Sequence, residues 1–558
     1  AQANFVSSFA RHAVLPPALD SRSFAGPPLL GSVIGLRACC RSTCRRGGLC
    51  HHQCQYGSMG QLLSLKGVSE DDRERGDSSA DDIRPLPPPR KDLVAAAMHV
   101  LEKICREQME VTADGPSLNE FSIFQAVDAT SVEVVMRLAS KDVYCTRAMG
   151  ALVGMAVADA VGGHLEFIPV GQQGSFFNPK TLRVHGEKNK FQLKAGQWTD
   201  DSAMGLCLAD SLLVRGGYDG ADTRIRFWNW WHRGYNNAFR LDESRVKSVG
   251  LGGNIGISLI SMSQGAMPEP RFNGLGEDAG NGSLMRLAPV PVYYHRDLNL
   301  AMRVSAESSY TTHPGASAAD ACAFLGYLVA RAITRKARRR ETAAHFLDDS
   351  VWMYLQRPET KSQPVLKKLL ESCEKPGSQE LCWNWRDPRG PFLKETLKNR
   401  GRSYKGYRVD ADYFGSYSMD GLAIALHSFY HTKTFMEAIT RCVNFLGDAD
   451  STGAICGQIA GAFYGYDHID ARLVTQLRQW DQGEIALRGA LLYVQGSQLS
   501  EKEEIKARQK CALCDRDWRV ETGVKIAPNL PELPEKGAKP KQPPSTPRPT
   551  NLLRRVSI

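Results

Sequence analysis

The sequence has 558 residues, of which 42% are hydrophobic and 8% aromatic, so the chain can bury a sizeable core. Its formal net charge is +10. Lys and Arg are dispersed and concentrated in the two ends, which argues against a dedicated nucleic-acid groove. No stretch approaches the roughly 18 consecutive apolar residues that a membrane-spanning helix needs. We therefore expect a soluble globular protein that binds no nucleic acid.

Residues 1–92 form a predicted disordered or targeting extension that ends in a Pro-rich linker at 84–90. The first 58 residues are rich in Arg and contain one acid, Asp20, a composition that fits an organellar transit peptide. If Met59 is the start, Gly60 fits the pattern for N-myristoylation. The third interpretation is an unstructured extension that carries no targeting signal.

The cysteines indicate a reducing compartment. Fifteen are present, five of them in the Arg- and Gly-rich segment 39–54, and most of the others lie singly in apolar helix-like runs. Cys511 and Cys514 have the spacing of half a zinc site, but no second pair follows, so a reduced pair is the simpler interpretation. We expect a cytoplasmic protein, with import or lipid anchoring as alternatives.

Helical periodicity dominates from residue 93 onwards. Residues 93–141 predict a small helical prelude, and residues 142–500 predict a large helical domain. Two of its runs, 148–167 and 453–465, carry Gly and Ala at helix-interior spacing, which lets helix backbones approach closely. Residues 501–558 are basic and Pro-rich and predict a disordered tail.

Acidic residues interrupt the apolar pattern at two predicted helix starts, WTDDS (198–202) and GDADST (447–452). Each segment alone could be an ordinary N-cap, because Ser, Thr and Asp satisfy the free amides of a first turn. Close carboxylates, however, raise one another's pKa, and a simple cap has no need of the second one. A bound cation would remove this conflict.

The ligand types favour a hard ion such as Mg²⁺ or Mn²⁺, because carboxylates and hydroxyls occur without nearby Cys or His. An EF-hand is an alternative for the second segment, since DADSTG has acids at loop positions one and three and Gly at six. Position twelve is Ile459, where an EF-hand needs a bidentate Glu. The remaining ligands must therefore come from elsewhere in the fold.

Five segments resemble, in order, the successive motifs of the ADP-ribosylglycohydrolase family. They read GALVGMAVADAVGGHLEF, GQWTDDSAM, GNGSLMRLAPV, YTTHPGASAADAC and GDADSTGAICGQIAGAFYG, and they cover roughly residues 145–490. The resemblance implies an all-α fold, a compact bundle of orthogonally packed helices with a central cleft for two Mg²⁺ or Mn²⁺ ions.

The same resemblance implies roles for individual residues. The implied metal ligands are Thr199, Asp200, Asp201, Asp448, Asp450 and Ser451. Many relatives have Thr at the last of these positions, and Ser keeps the hydroxyl. Asp201 and Glu166 are the implied catalytic acids, although Glu166 alone would read as a helix-end charge. The implied substrate contacts are Asn281, Gly282, Ser283 and His313, which would otherwise read as a turn and a capped helix start.

The resemblance implies a hydrolase that removes ADP-ribose from a modified protein side chain or a small acceptor. Cleavage at the ribose C1 builds positive charge there, and a pair of metal ions about 3.5–4 Å apart can polarise the attacking water. We expect Asp201 or Glu166 to orient or deprotonate that water. We also expect the protein to be a monomer. An inactive relative, a phosphohydrolase and a non-enzymatic ADP-ribose reader are the alternatives. The acceptor stays open among arginine, serine and small molecules.

Residues 335–413 predict an insertion in this pattern. Trp383 and Trp385 within it could stack on adenine or acceptor, but aromatic residues in an inserted loop more often pack that loop down. The aromatic cluster FWNWW (227–231) predicts core rather than cleft. The basic run 335–340 predicts a solvated helix face.

Overall fold

The computed structural model of the protein describes residues 86–108, 121–263, 268–274, 279–336, 341–372, 383–388 and 414–499, and the backbone of 403–404 and 407–408. The predicted targeting extension, the Cys511 and Cys514 pair and the basic tail lie outside these residues, so those predictions stay as they were.

Helices make up nearly all of the described secondary structure, which confirms the all-α prediction. The α-helices are α1 (Lys91–Gln108), α2 (Ala129–Ala139), α3 (Val143–Gly162), α4 (Asp200–Arg215), α5 (Gly220–Arg233), α6 (Gly253–Ser263), α7 (Pro289–Tyr293), α8 (Leu298–Ser309), α9 (Ala316–Thr334), α10 (Ala343–Leu355), α11 (Pro364–Glu371), α12 (Ser418–Tyr430), α13 (Phe435–Val443), α14 (Ala449–Tyr464), α15 (Ala471–Asp481) and α16 (Glu484–Ser497). Short 3₁₀ turns occupy Asn281–Ser283, Pro358–Ser362 and Tyr466–His468.

Two short antiparallel hairpins complete the described elements. Strand β1 (Phe176–Asn178) pairs with β2 (Arg183–His185), with Phe177 opposite Val184. Strand β3 (Ser403–Tyr404) pairs with β4 (Tyr407–Arg408). Each is too small to form a sheet layer of its own, so the fold is built by helix packing.

Helices α3 and α14 pack antiparallel through small residues, as the Gly and Ala spacing predicts. A Cβ added at Gly150 would overlap the Gly461 carbonyl oxygen, and one at Gly154 would overlap that of Gly457. About two turns further along, Gly162 meets the Ala449 backbone in the same way. This close approach fixes the register of the two helices, so that the end of α3 lies beside the start of α14.

Helix α3 begins at an Asp142 cap that accepts from the Tyr144 and Cys145 amides at 2.9 and 3.0 Å, and it is buried on all sides from residue 145 to 162. Helices α3 and α9 are long and apolar enough to cross a membrane, but 100% and 78% of their apolar windows are buried inside the fold. Central helices of a globular core have the same property.

The two helices of the predicted prelude, α1 and α2, pack on α16, and α1 also contacts α4. In the segment that joins α1 to α2, the Phe124 ring packs against Arg488 of α16, whose guanidinium lies 4.8 Å from the ring centroid.

The predictions for the aromatic residues can be compared with their burial. Phe227 and Trp230 are fully buried, as a core cluster requires. Trp383 and Trp385 are also fully buried, and their indole nitrogens donate to Asp420 Oδ1 at 2.8 Å and to the Leu369 carbonyl at 3.0 Å. Both indoles therefore pack the described part of the insertion onto the core.

The prediction of a solvated helix face for 335–340 is wrong at its first residue. Helix α9 ends at Thr334, and the side chain of Arg335 lies over the Phe463 ring at 4.0 Å and pairs with Glu341 at 2.6 Å. An unpaired cation would otherwise be costly at this partly buried position. Residues 337–340 lie outside the described residues.

Candidate metal centre

The register of α3 and α14 brings Glu166 next to the acids of the second helix start. After α3 the chain turns through Phe167, which has a φ of 63°. It then forms an isolated bridge between Ile168 and Gly447, with the Phe167 amide donating to the Gly447 carbonyl at 2.9 Å. Glu166 directly precedes Phe167, and Asp448 directly follows Gly447. The bridge therefore brings Glu166 close to Asp448.

The start of α4 is attached to α3 by Asp159. Its carboxylate accepts from the amides of Thr199 at 3.0 Å and Ser202 at 2.9 Å, and from their hydroxyls at 2.9 and 2.6 Å. Asp159 thus caps the first turn of α4 from a neighbouring helix. This capping fixes the positions of Asp200 and Asp201, which lie between the two anchored residues.

The start of α14 holds its acids through different contacts. Asp450 Oδ1 accepts from the Ser451 amide at 2.9 Å, and Asp450 Oδ2 lies 3.4 Å from the Thr199 hydroxyl of α4. The same hydroxyl lies 2.9 Å from Asp201 Oδ2. Thr199 therefore joins the two helix starts, which are about 250 residues apart in the sequence.

Two overlapping groups of carboxylates result. Asp159, Asp201 and Asp450 each bring an oxygen within 4.8 Å of the others, and so do Glu166, Asp448 and Asp450. Both carboxylate oxygens of Asp159 already accept hydrogen bonds from amides and hydroxyls. Three other buried oxygens have no hydrogen-bond partner: Glu166 Oε2, Asp201 Oδ1 and Asp448 Oδ1. Such oxygens are costly unless a cation or a water binds them.

Burial raises the pKa of every acid in this group. It raises the pKa of Glu166 well above its usual range, and the nearby charges of Asp450, Asp448 and Asp200 raise it further. The pKa values of Asp200, Asp201 and Asp450 are raised for the same two reasons. Burial raises the pKa of Asp448 to about 6. Within the described residues, no Lys or Arg forms an ion pair with any of these five acids.

This arrangement fits divalent cations. The five acids are 7% exposed or less, and three of them carry an unpartnered oxygen. Within the part of the chain that the structure describes, the clustered ligand groups are all carboxylates, without the Cys or His that would favour a softer metal. The hydroxyls of Thr199 and Ser451 lie at the same two helix starts. Hard cations are the groups that such a donor set binds best.

Of the residues predicted to contact substrate, Asn281 lies beside the acids. The Asn281 side chain donates to Asp448 Oδ2 at 2.8 Å and to the Gly415 carbonyl at 3.0 Å, so here its amide positions an acid. The Ser283 hydroxyl contacts Ser309 at 2.8 Å. A Cβ on Gly282 would lie 2.9 Å from Cε1 of His313, so this glycine packs directly on the imidazole ring. Their contact with substrate remains a prediction.

Two residues of the centre were not identified from the sequence. Asp159 lies inside a small-residue helical run, and its signal is that a buried acid in such a run needs partners. Gly250 lies against the Asp200 carboxylate, where a Cβ would overlap Asp200 Oδ1. Its φ of 91° favours glycine. The GLGG sequence at 250–253 marks a flexible turn but does not indicate which residue it covers.

Comparison with known proteins places this geometry in a family. The ADP-ribosylglycohydrolase family model matches residues 140–501. The chain is 28% identical over 343 residues to ADP-ribosylarginine hydrolase Tri1 of Serratia proteamaculans, covering 60% of this chain and 76% of the relative. It is 29% identical to ADP-ribosyl-[dinitrogen reductase] glycohydrolase of Rhodospirillum rubrum, covering 61% and 92%.

ADP-ribosylhydrolase ARH3 of Homo sapiens is a more distant relative, 23% identical over 345 residues, with coverage of 58% of this chain and 87% of the relative. The family match spans well over half of the sequence and includes both acidic helix starts, Glu166 and the 281–283 turn. The chain therefore belongs to the ADP-ribosylglycohydrolase family, and its activity is that of an ADP-ribosyl hydrolase.

Proposed function

We propose that the protein hydrolyses the glycosidic bond between ribose C1 of ADP-ribose and its acceptor, with two Mg²⁺ or Mn²⁺ ions held by the acids described above. The observation that carries this proposal is the set of three unpartnered carboxylate oxygens, which belong to Glu166, Asp201 and Asp448. They come from three separate segments and converge on one buried site.

The proposed ligands are the acids and hydroxyls of the two helix starts: Thr199, Asp200, Asp201, Asp448, Asp450 and Ser451. Bound cations would act as Lewis acids on the ribose hydroxyls and would lower the pKa of a water molecule. Asn281 holds Asp448 in place by donating to its second oxygen, which is a contact that orients a ligand carboxylate.

The attacking water needs a carboxylate that can orient it or accept its proton. Asp201 fits because Thr199 fixes one of its oxygens while the other has no protein partner. Glu166 fits because its Oε2 is buried without a protein partner and its carboxylate lies with those of Asp448 and Asp450. We therefore assign the water-orienting role to Asp201 or Glu166, with the substrate bound towards the 281–283 turn and His313.

An arginine side chain is the acceptor that we propose first. The support comes from a relative, since an ADP-ribosylarginine hydrolase is 28% identical to the chain. An ADP-ribosylated protein is then the natural macromolecular substrate. Serine and small-molecule acceptors are the alternatives that the experiment must separate.

The test incubates the full chain and Mn²⁺ or Mg²⁺ with three substrates: ADP-ribosylated arginine, ADP-ribosylated serine and O-acetyl-ADP-ribose. Products are identified by mass. We expect free ADP-ribose, most rapidly from the arginine conjugate, and none in excess chelator. Release of phosphate or of a mononucleotide would instead indicate a phosphohydrolase, and binding without turnover would indicate a reader.

The variant for this test carries both Asp200→Asn and Asp201→Asn, and we expect it to release no ADP-ribose. Asp142→Asn is the matched control, because this residue also caps a helix start but lies at the opposite end of α3. The control should keep its activity. Full turnover by the double variant would refute the proposal.

A further inference from the structure

Arg286 is a buried cation that forms no ion pair among the described residues. Its side chain is fully enclosed, and the guanidinium lies over the Phe227 ring at 4.5 Å from the centroid. It donates to the hydroxyls of Thr311 at 3.0 Å and Thr312 at 2.6 Å. Burial lowers its pKa to about 10, so it remains charged near neutral pH. A guanidinium can only donate, so both hydroxyl oxygens act as acceptors here.

Thr312 has one hydroxyl hydrogen and one place to donate it. The hydroxyl is fully buried, and among the described residues its one hydrogen-bond partner besides Arg286 is Nδ1 of His313, at 2.8 Å. If Nδ1 carried a proton, it would donate to Thr312, and the Thr312 hydrogen would be buried without an acceptor. That arrangement carries the cost of an unsatisfied buried donor. The satisfied arrangement has Thr312 donating to an unprotonated Nδ1.

The proton of His313 is then on Nε2. Burial and, to a smaller extent, the charge of Arg286 together lower the pKa of His313 to about 3, so the ring is neutral. A Cβ on Gly282 would lie 2.9 Å from Cε1 and 3.1 Å from Nε2, so this edge of the ring faces the 281–283 turn. A neutral imidazole in this tautomer offers one N–H donor there.

We propose that Arg286, acting through Thr312, is a positioning residue that fixes His313 as the Nε2–H tautomer, so that His313 donates a hydrogen bond to an oxygen of ADP-ribose. The identity of the ligand rests on the proposed function, whereas the tautomer does not.

The first test measures the tautomer without any ligand. The full chain is labelled with ¹⁵N at histidine, and the His313 ring signals are assigned by their loss in His313→Gln. We expect Nδ1 to resonate as an unprotonated nitrogen and Nε2 as a protonated one. In Thr312→Val the preference should weaken, and Thr312→Ser should restore it. An Nδ1–H tautomer in the unmodified protein would overturn the proposal.

The second test measures ADP-ribose affinity by calorimetry in the presence of Mn²⁺. Thr312→Val should weaken binding by roughly tenfold, the loss of about one hydrogen bond, and Thr312→Ser should restore the affinity to within about twofold. Thr311→Val is the matched control, because it also removes one contact of Arg286, and the Thr311 hydroxyl donates to the Ser308 carbonyl rather than to His313. Equal losses in Thr311→Val and Thr312→Val would contradict the proposal.

The two tests separate failure of this inference from failure of the proposed function. If no conjugate releases ADP-ribose but His313 is the Nε2–H tautomer, the hydrolase proposal fails and the tautomer assignment stands. If hydrolysis occurs and His313 carries its proton on Nδ1, the positioning role of Arg286 fails alone.

Discussion

Helix α4 carries two buried acidic clusters that are built on opposite principles. At its start, Asp200 and Asp201 face other carboxylates, and no described Lys or Arg pairs with them. About three turns later, Asp210 accepts from Arg488 Nε at 2.7 Å, from the Tyr235 hydroxyl at 2.6 Å and from Asn236 at 2.8 Å. Every oxygen of Asp210 has a partner, whereas Asp201 Oδ1 has none.

The acids near Asp210 are paired with arginines and stabilise the fold, whereas the unpaired acids at the start of α4 suit a binding site. The charges around Asp210 are balanced inside the protein. Arg488 pairs with Asp210 and also contacts Glu484 at 3.3 Å, and Glu484 has its own partner in Arg240 at 2.9 Å. Such a pair needs nothing from outside, and its effect is on folding. The acids at the start of α4 are not balanced by the protein, so they store a repulsion that a bound cation would relieve. Burial alone is therefore a poor guide to the role of an acid, and the sign of its neighbours is a better one.

The largest effect that we expect comes from breaking the balanced cluster. Asp210→Asn leaves the buried Arg488 without its main partner and should destabilise the protein by about 3–5 kcal/mol. Urea denaturation in the presence of chelator measures this change. A loss below about 1 kcal/mol would show that the cluster around Asp210 does not stabilise the fold.

The same substitution at the unbalanced cluster should act in the opposite direction on folding. Asp201→Asn removes one of several repelling charges, so the free energy of unfolding in chelator should increase. ADP-ribose release should nevertheless fall by at least about a hundredfold. If Asp201→Asn destabilises the metal-free protein as Asp210→Asn does, the comparison between the two clusters is wrong.

A smaller effect is expected where a neutral side chain positions an acid. Asn281→Ala removes the donor to Asp448 Oδ2 and should weaken Mn²⁺ binding by about tenfold. Titration with Mn²⁺, followed by calorimetry, measures the affinity. Unchanged affinity would mean that Asn281 contributes to substrate binding alone, as the sequence predicts for it.

The smallest effect is a dependence of metal-induced stabilisation on pH. The folded-state pKa of Asp448 is raised from 3.8 to about 6, so between these values the folded, metal-free protein holds a proton that the unfolded chain has lost. This contribution to stability is complete below about pH 4 and disappears as the pH rises through about 6. The increase in Tm on adding Mn²⁺ should therefore be larger at pH 8 than at pH 5. A constant increase would argue against cation binding by these acids.

Much of this organisation could be predicted from the sequence because it depends on local patterns. Helical periodicity predicts that helices dominate, the family resemblance implies the all-α fold, and the Gly and Ala spacing predicts the close packing of α3 and α14. Two acidic helix starts predict a cation site. Contacts between distant segments were less accessible. The bridge from Ile168 to Gly447 joins the residues that follow α3 to those that precede α14, and Asp159 of α3 caps α4. No pattern within one segment indicates which residue of the other segment it meets.

Residues with two plausible environments were also hard to assign. Arg335 lies in a basic run that reads as solvated, yet its side chain lies over Phe463 because Glu341 compensates its charge. The resemblance implies that Asn281 contacts the substrate, yet its side chain donates to an acid. The partner of Asn281 is Asp448, which is distant in the sequence. The partners of Arg335 are Phe463, which is also distant, and Glu341, six residues later.

The most direct test of the central claim is the number of divalent ions that the protein binds. Equilibrium dialysis of the full chain against Mn²⁺, with elemental analysis, should give two ions per chain in the unmodified protein. The stoichiometry should fall in Asp201→Asn and stay at two in Asp142→Asn. If the unmodified protein binds no Mn²⁺, or if Asp201→Asn binds two ions with unchanged affinity, the converging acids are not a metal centre.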